Sequence, residues 1–162
     1  MIRDALAKSI RPAVAALVAL AALGAAPGPY YASLSRDKVF LREGPSYQHR
    51  VLWIYRRKGL PVLVLNQYDI WRRIKDSDGT IGWVSGVMLN AGRRTIVVTS
   101  KKAAPIRDDA AEAAHVIAYA QTGVVAKLEA CKVDACKVSA DGTEGWIDKK
   151  NIWGVGVGEV FQ

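Results

Sequence analysis

Few side chains in this 162-residue chain can do chemistry: two cysteines, two histidines and a large set of cationic groups. Cys131 and Cys136 stand five residues apart, across Lys132-Val133-Asp134-Ala135. A thiol becomes a nucleophile when an imidazole or another cation stabilises its thiolate. His115 falls in an Ala-rich segment and His49 in the other half of the chain, and neither accompanies a nucleophile signature such as Gly-x-Ser-x-Gly. Two cysteines cannot make a four-Cys zinc site, and two histidines leave little for a metal enzyme. Gly154-Val155-Gly156-Val157-Gly158 does not read as a phosphate loop, because no helix follows it. It reads as a loose extension, with 156–162 as a C-terminal tail. No catalytic residue, no metal and no cofactor is therefore expected.

The chemistry that remains is recognition through charge. The formal net charge is +8, and the cations are unevenly placed. From Val39 to Ser100 there are ten Lys or Arg against four Asp or Glu; from Lys101 to Gln162 there are eight against nine. Arg50, Arg56, Arg57, Lys58, Arg72, Arg73, Arg93 and Arg94 dominate the basic half, and arginine suits bidentate pairing with carboxylate or phosphate.

The elements that must position these groups form a duplicated unit. Asp78-Gly79-Thr80-Ile81-Gly82-Trp83-Val84 recurs as Asp141-Gly142-Thr143-Glu144-Gly145-Trp146-Ile147, with five of seven residues identical. Arg42 with Arg107, Gly59 with Gly123, and Leu89 with Ile152 keep nearly the same spacing. Each copy reads as short strands broken by turns: Val39–Arg42, Val51–Tyr55, Leu60–Leu65, Trp71–Lys75 and Ile81–Ser85 in the first. Asp76-Ser77-Asp78-Gly79 is a hairpin signal whose glycine supplies a positive φ. Outside the leader, only Ala110–His115 has a partial helical period. Hydrophobic residues make up 51%, which excludes a disordered chain.

Arg42-Glu43-Gly44-Pro45-Ser46, then Gly59, Trp71-Arg72-Arg73-Ile74 and the Asp-Gly-Thr-x-Gly-Trp-Val heptad together resemble the bacterial SH3-like (SH3b) domain. With Tyr55–Val62 included, the body from about Leu34 to Val155 resembles the exported tandem SH3-like proteins of proteobacteria. The second copy departs from the pattern, since Pro105-Ile106-Arg107-Asp108-Asp109 lacks the Gly-Pro pair. The resemblance implies an all-β fold of two tandem small SH3-like barrels, 34–97 (basic) and 98–155. It also implies a non-enzymatic binding module associated with the cell wall.

Strand assignment decides the fate of the cysteines. In the repeat, Cys136 takes the place of Trp71 at the start of a strand, and Cys131 lies near the end of the preceding one. Strand ends facing across a four-residue loop bring the two sulfurs within bridging reach, so a Cys131–Cys136 disulfide is expected; reduced, buried thiols are the alternative. Closing so small a loop contributes on the order of 2 kcal/mol in the chain-entropy model. Trp71, Trp83 and Trp146 are expected in the cores, where a single indole fills much of a small barrel. Tyr47 and Tyr55, beside the open loop, are the aromatic surface candidates. With Arg50, Arg56, Arg57, Arg72 and Arg73 they make up the candidate ligand-binding set. Set against the double-Trp strand of eukaryotic SH3 domains, the polyproline groove positions hold Ile70, Ser85 and Met88, and Ala135, Asp148 and Asn151 in the second copy. The aromatic ridge a proline helix needs is missing from both.

Residues 1–26 read as an address label. Arg3, Lys8 and Arg11 precede an apolar run, Ala13–Leu23, followed by Gly24-Ala25-Ala26-Pro27. That is the plan of a cleaved secretory signal peptide. The run is far shorter than the about 20 residues of a spanning helix, so no stable membrane span is expected after cleavage. A retained anchor or a soluble Ala-rich helix would be the alternatives. The expected location is periplasmic or secreted, an oxidising setting that favours the disulfide. The expected partner is anionic: peptidoglycan, bound mainly by the first copy, or an envelope protein. Export and the lack of a base-stacking platform argue against nucleic acid.

Overall fold

The computed structural model describes residues 28–162, so the expected leader, 1–26, lies outside the described residues. Seven strands make the first sheet: β1 (Tyr30–Leu34), β2 (Val39–Arg42), β3 (Val51–Tyr55), β4 (Pro61–Tyr68), β5 (Trp71–Lys75), β6 (Ile81–Ser85) and β7 (Leu89–Asn90). Their order is β3-β2-β6-β5-β4-β1-β7, with each described pairing antiparallel. The second sheet repeats this order as β10-β9-β13-β12-β11-β8-β14. Its strands are β8 (Thr95–Val98), β9 (Ala104–Arg107), β10 (Val116–Ala120), β11 (Val125–Cys131), β12 (Ala135–Ala140), β13 (Thr143–Asp148) and β14 (Ile152–Trp153). The fold is all-β, two tandem SH3-like units, as the resemblance implied. Ala110–His115 carries turns rather than a helix. The first sheet ends at Asn90 and the second opens at Thr95, so a division at 97/98 runs through β8.

Each sheet curls around its own apolar cluster, and the clusters match position by position. Leu34, Leu41, Ile74 and Val84 in the first correspond to Val98, Ile106, Val138 and Ile147 in the second. Burying each such side chain contributes roughly 1.5–3 kcal/mol. The repeated glycine of the heptad has a steric reason. A Cβ on Gly82 would lie 2.7 Å from Leu41 Cγ and 2.8 Å from the Arg42 carbonyl; on Gly145 it would meet Ile106 at 2.5 Å and the Arg107 carbonyl at 2.7 Å. Glycine lets β2 and β6, and β9 and β13, cross at close range.

Strand alternation then decides the tryptophans. Gly82 and Val84 point inward and Gly145 and Ile147 do the same, so Trp83 and Trp146 face outward and are half-buried, not core as expected. Trp71 is buried, but on that same outer side: it stands two residues before Arg73 and is covered by Tyr47. The register also corrects the repeat alignment. Trp71 pairs with Ser85 as Ala135 pairs with Asp148, so Ala135 takes the tryptophan's place, and Cys136 corresponds to Arg72.

Cys131 and Cys136 are directly opposed across β11 and β12, with Cα atoms 4.1 Å apart, and are joined in a disulfide as expected. The C-terminal tail, by contrast, is not loose. Phe161 exchanges two backbone hydrogen bonds with Cys131, at 2.9 and 3.1 Å, and Arg94 grips the Glu159 carboxylate. The units also touch. Ser33 Oγ donates to the Arg93 carbonyl at 2.7 Å, Arg57 reaches the Gly123 carbonyl at 3.3 Å, and Tyr31 meets Trp153 edge to face at 5.2 Å.

Candidate functional site

The outer side of β2, β6 and β5 carries one continuous row of side chains. Arg42 is registered against Trp83, and Trp83 against Arg73, so the tryptophan stands between two arginines on adjacent strands. Arg42 is held by its own loop: its Nη1 donates to the carbonyls of Tyr47 and His49, at 3.0 and 2.9 Å. The loop carries Tyr47 back over Trp71, ring centroids 4.9 Å apart and close to edge-on. Arg42 also stands 5.6 Å from the Tyr47 ring and 5.9 Å from the Phe40 ring, within cation–π range. Tyr47 remains 64% exposed and Arg73 is exposed. Among the described residues no carboxylate pairs with Arg42 or Arg73.

The second sheet repeats the row as Arg107, Trp146 and Lys137, in the same register. Its charges are neutralised. Arg107 Nη1 bonds Asp148 at 2.9 Å, Lys137 pairs with Glu144, and Lys132 sits 4.8 Å over the Trp146 ring. The Lys137 ammonium holds the Glu144 carboxyl below its usual range. In the first sheet Ser85 and Ile81 occupy the positions of Asp148 and Glu144. The exposed surfaces therefore differ in charge although the scaffolds coincide.

The predicted site residues are only partly brought together. Tyr47 and Arg73 share the row's face, and Arg50 lies on the same loop, 3.6 Å from Glu43. Arg72 alternates to the other face beside buried Val84, and its Nη1 donates to the carbonyls of Asp69 and Trp71, each at 3.0 Å. Arg56 and Arg57 follow β3, at the far end of the β2–β3 hairpin from Tyr47.

Tyr55 is not a surface residue. It is 6% exposed, and its hydroxyl donates to Asp76 Oδ2 at 2.8 Å. Burial pushes its phenol well above the ordinary value, and the hydrogen bond and charge of Asp76 add to the shift. Asp76 Oδ1 in turn accepts from the amides of Asp78 and Thr80, at 3.1 and 2.8 Å, so the pair anchors the β5–β6 turn. Arg94, one of the cations of the basic half, is spent on Glu159 and on the rings of Tyr31 and Phe161. Sequence reasoning missed Trp83 and Arg42 as site residues. The orientation of Trp83 follows from Gly82, whose close approach to Leu41 and the Arg42 carbonyl is a tertiary contact that local pattern does not reveal.

The chain matches the bacterial SH3 domain family over residues 35–89 and again over 100–154. No curated protein matches it. Among solved structures it is similar to NlpC1 from Trichomonas vaginalis, at 11% identity and a TM-score of 0.36, covering 80% of this chain and 47% of that one. NlpC2 from the same organism gives 13% identity and a TM-score of 0.36, covering 77% and 48%. An NlpC/P60 family protein from Bacillus cereus ATCC 10987 gives 11% and 0.34, covering 76% and 55%. The chain spans about half the length of these structures, and at such scores the likeness carries nothing about what it does.

Proposed function

The chain belongs to the bacterial SH3 domain family, and from that premise we propose that it is a non-enzymatic, exported binding module whose first domain grips peptidoglycan. The observation that carries this reading is the row Arg42–Trp83–Arg73 on the first sheet, two arginines registered on either side of a half-buried tryptophan, with no carboxylate among the described residues paired to them. Arginine side chains suit the carboxylates of peptide stems, and the exposed ring of Tyr47 suits the apolar side of a sugar or peptide. Arg50, on the same loop as Tyr47, is paired with Glu43 and is not part of the open row. The second domain, with its row neutralised, serves as support.

The non-enzymatic part is favoured by the cysteines and histidines. Both sulfurs are engaged in one disulfide, and His49 and His115 belong to loops of different sheets. Export is proposed from the sequence of residues 1–26 and fits the disulfide. The test is retention of the purified protein on isolated sacculi across a salt series. Binding that weakens with salt, falls several-fold in Arg73→Ser and is untouched by Lys137→Ser is expected, with the melting temperature unchanged in both. No retention at any salt overturns the wall reading and leaves an adaptor for a periplasmic envelope enzyme as the role.

A further inference from the structure

The β2–β3 hairpin combines two features that the wall reading leaves unused. From Lys38 to Lys58 it carries six Lys or Arg against one Asp or Glu, and that one acid, Glu43, lies 3.6 Å from Arg50. Asp37, just before it, accepts the Lys58 amide at 3.3 Å. Val39 and Leu41 are buried, so Lys38, Phe40 and Arg42 alternate to the outer side of β2. There they meet: Lys38 Nζ lies 5.1 Å from the centre of the Phe40 ring, and the Arg42 guanidinium 5.9 Å. On β3, Ile54 stands opposite Phe40. β3 is the end strand of its sheet, and Leu52 and Trp53 are exposed along it, Trp53 at 58%. Arg56, Arg57 and Lys58 follow directly, all exposed.

The matching hairpin of the second half has neither the charge nor these aromatics. From Ala103 to Thr122 it carries one Arg against three Asp or Glu. Pro105 pairs with Tyr119 as Phe40 pairs with Ile54, and Ile106 with Ala118 as Leu41 with Trp53. Pro105 and Ala118 therefore stand where the first half has Phe40 and Trp53, and Ala103 where it has Lys38. Cations and exposed rings differ together between two hairpins of the same register, which marks them as features of a surface rather than needs of the fold.

An acidic chain or a small anion would be met by the cations alone and would leave Phe40, Leu52 and Trp53 in water. An apolar cleft would cover those three and strand the cations. A bilayer carrying anionic headgroups offers a layer for each, because indole rings settle at the boundary of headgroup and acyl chain while Lys and Arg reach the phosphates. We infer that the occupant of this hairpin is the surface of an anionic phospholipid bilayer, bound peripherally through Phe40, Leu52 and Trp53 with Lys38, Arg56 and Lys58 around them. Isolated sacculi contain no bilayer and vesicles contain no wall, so this reading and the wall reading can fail separately.

Flotation of the purified protein with phosphatidylcholine vesicles, with and without phosphatidylglycerol, tests it at low salt. The protein should float with the anionic vesicles only, and added salt should release it. Lys38→Ser with Arg56→Ser and Lys58→Ser should weaken the apparent affinity about tenfold or more, because each cation at an anionic surface is worth roughly fivefold. Trp53→Ser should lose several-fold on the same vesicles. Lys101→Ser with Lys102→Ser and Lys150→Ser removes equal charge from the second half and should bind as wild type does. All these side chains are exposed, and unchanged melting shows that any loss is not misfolding. Arg57 is left intact because it bonds Gly123. A wild-type protein that floats with neither kind of vesicle, or equally with both, overturns the inference. So does a Trp53→Ser protein that floats as wild type does, which reduces the surface to charge alone. A second-half variant that loses as much as the hairpin variant also overturns it, since net charge would then act without a site.

Discussion

The two halves of the molecule share a strand order, a register and a core, and differ in what they use to hold shape and what they leave on the surface. In the first half, Tyr55 and Asp76 form a buried hydrogen bond under the β5–β6 turn, and Tyr47 and Trp71 lock the loop onto the sheet. The second half has Ala120 and Ala135 at the positions of Tyr55 and Trp71. It compensates at another place, with a disulfide across β11 and β12 and a C-terminal segment paired to Cys131. The same division appears on the outside, where one row of cations is open and the other is cancelled. Once a scaffold is duplicated, its two copies can separate holding from recognition without altering a single strand pairing.

The most severe way to break the comparison is at the element both halves need equally. Gly82→Val and Gly145→Val each drive a side chain into the neighbouring strand, and each should cost about 3 kcal/mol or more. Thermal unfolding followed by near-ultraviolet circular dichroism should register similar losses for the two; a neutral result at either position would show that the strands can separate there without penalty. Next in size is the disulfide. Replacing both Cys131 and Cys136 with Ala should remove about 2 kcal/mol from the second half alone. Hydrogen exchange should show faster opening of β11 and β12, with β4 and β5 unchanged.

Tyr55→Phe makes the reciprocal cut. It leaves Asp76 without one of its donors inside the first half, at a cost of about 1–2 kcal/mol. The same residue gives a pH signature. The folded phenol titrates above the ordinary 10.0 of an unfolded chain, mainly through burial. Below that value both states are protonated and the contribution is complete; above it the unfolded chain ionises first, so stability falls as pH rises past about 10. Wild type should show that decline in denaturant midpoints, and Tyr55→Phe should make it shallower, leaving the part contributed by Tyr31, whose phenol burial also raises. A wild-type curve with no decline would place the phenol in water.

Much of this was legible in the sequence, and the failures have a common cause. The heptad repeat announced the duplication, the turn residues announced the strands, and the spacing of Cys131 and Cys136 announced the bridge. What the sequence obscured was which side of a strand each aromatic faces. Tryptophan in a small barrel suggests a core residue, but Gly82 and Gly145 occupy the inner positions because their backbones pass too close to β2 and β9 for a side chain. Trp83 and Trp146 were therefore driven outward. Tyr55 misled in the opposite sense: a tyrosine beside arginines suggests a surface, and its partner Asp76, twenty-one residues away, is not visible from local pattern. Arg94 and the tail were misread for the same reason, since only tertiary contact reveals that Glu159 and Phe161 return to the body.

The smallest effect on stability gives the sharpest test of the charge difference. Ile81 is 41% exposed at the position where the second half carries Glu144, diagonal to Arg73 across the β5–β6 pair. Ile81→Glu would copy the second half's neutralising carboxylate into the first. At so exposed a site its effect on folding should stay within about 0.5 kcal/mol. Its effect on recognition should be larger, because a carboxylate directly opposite Lys75 and diagonal to Arg73 competes with any anionic ligand for these cations. Sacculus retention at low salt should fall several-fold, and the shortfall should shrink as salt screens both the ligand and the new pair. The complementary change, Glu144→Ile, frees Lys137 but leaves Arg107 bound to Asp148, so it should restore only part of an open row and raise retention slightly. If Ile81→Glu binds as wild type does, uncompensated charge is not what separates the two halves; if Glu144→Ile binds as strongly as an intact first half, the Tyr47 loop, which the second half lacks, contributes nothing to the grip.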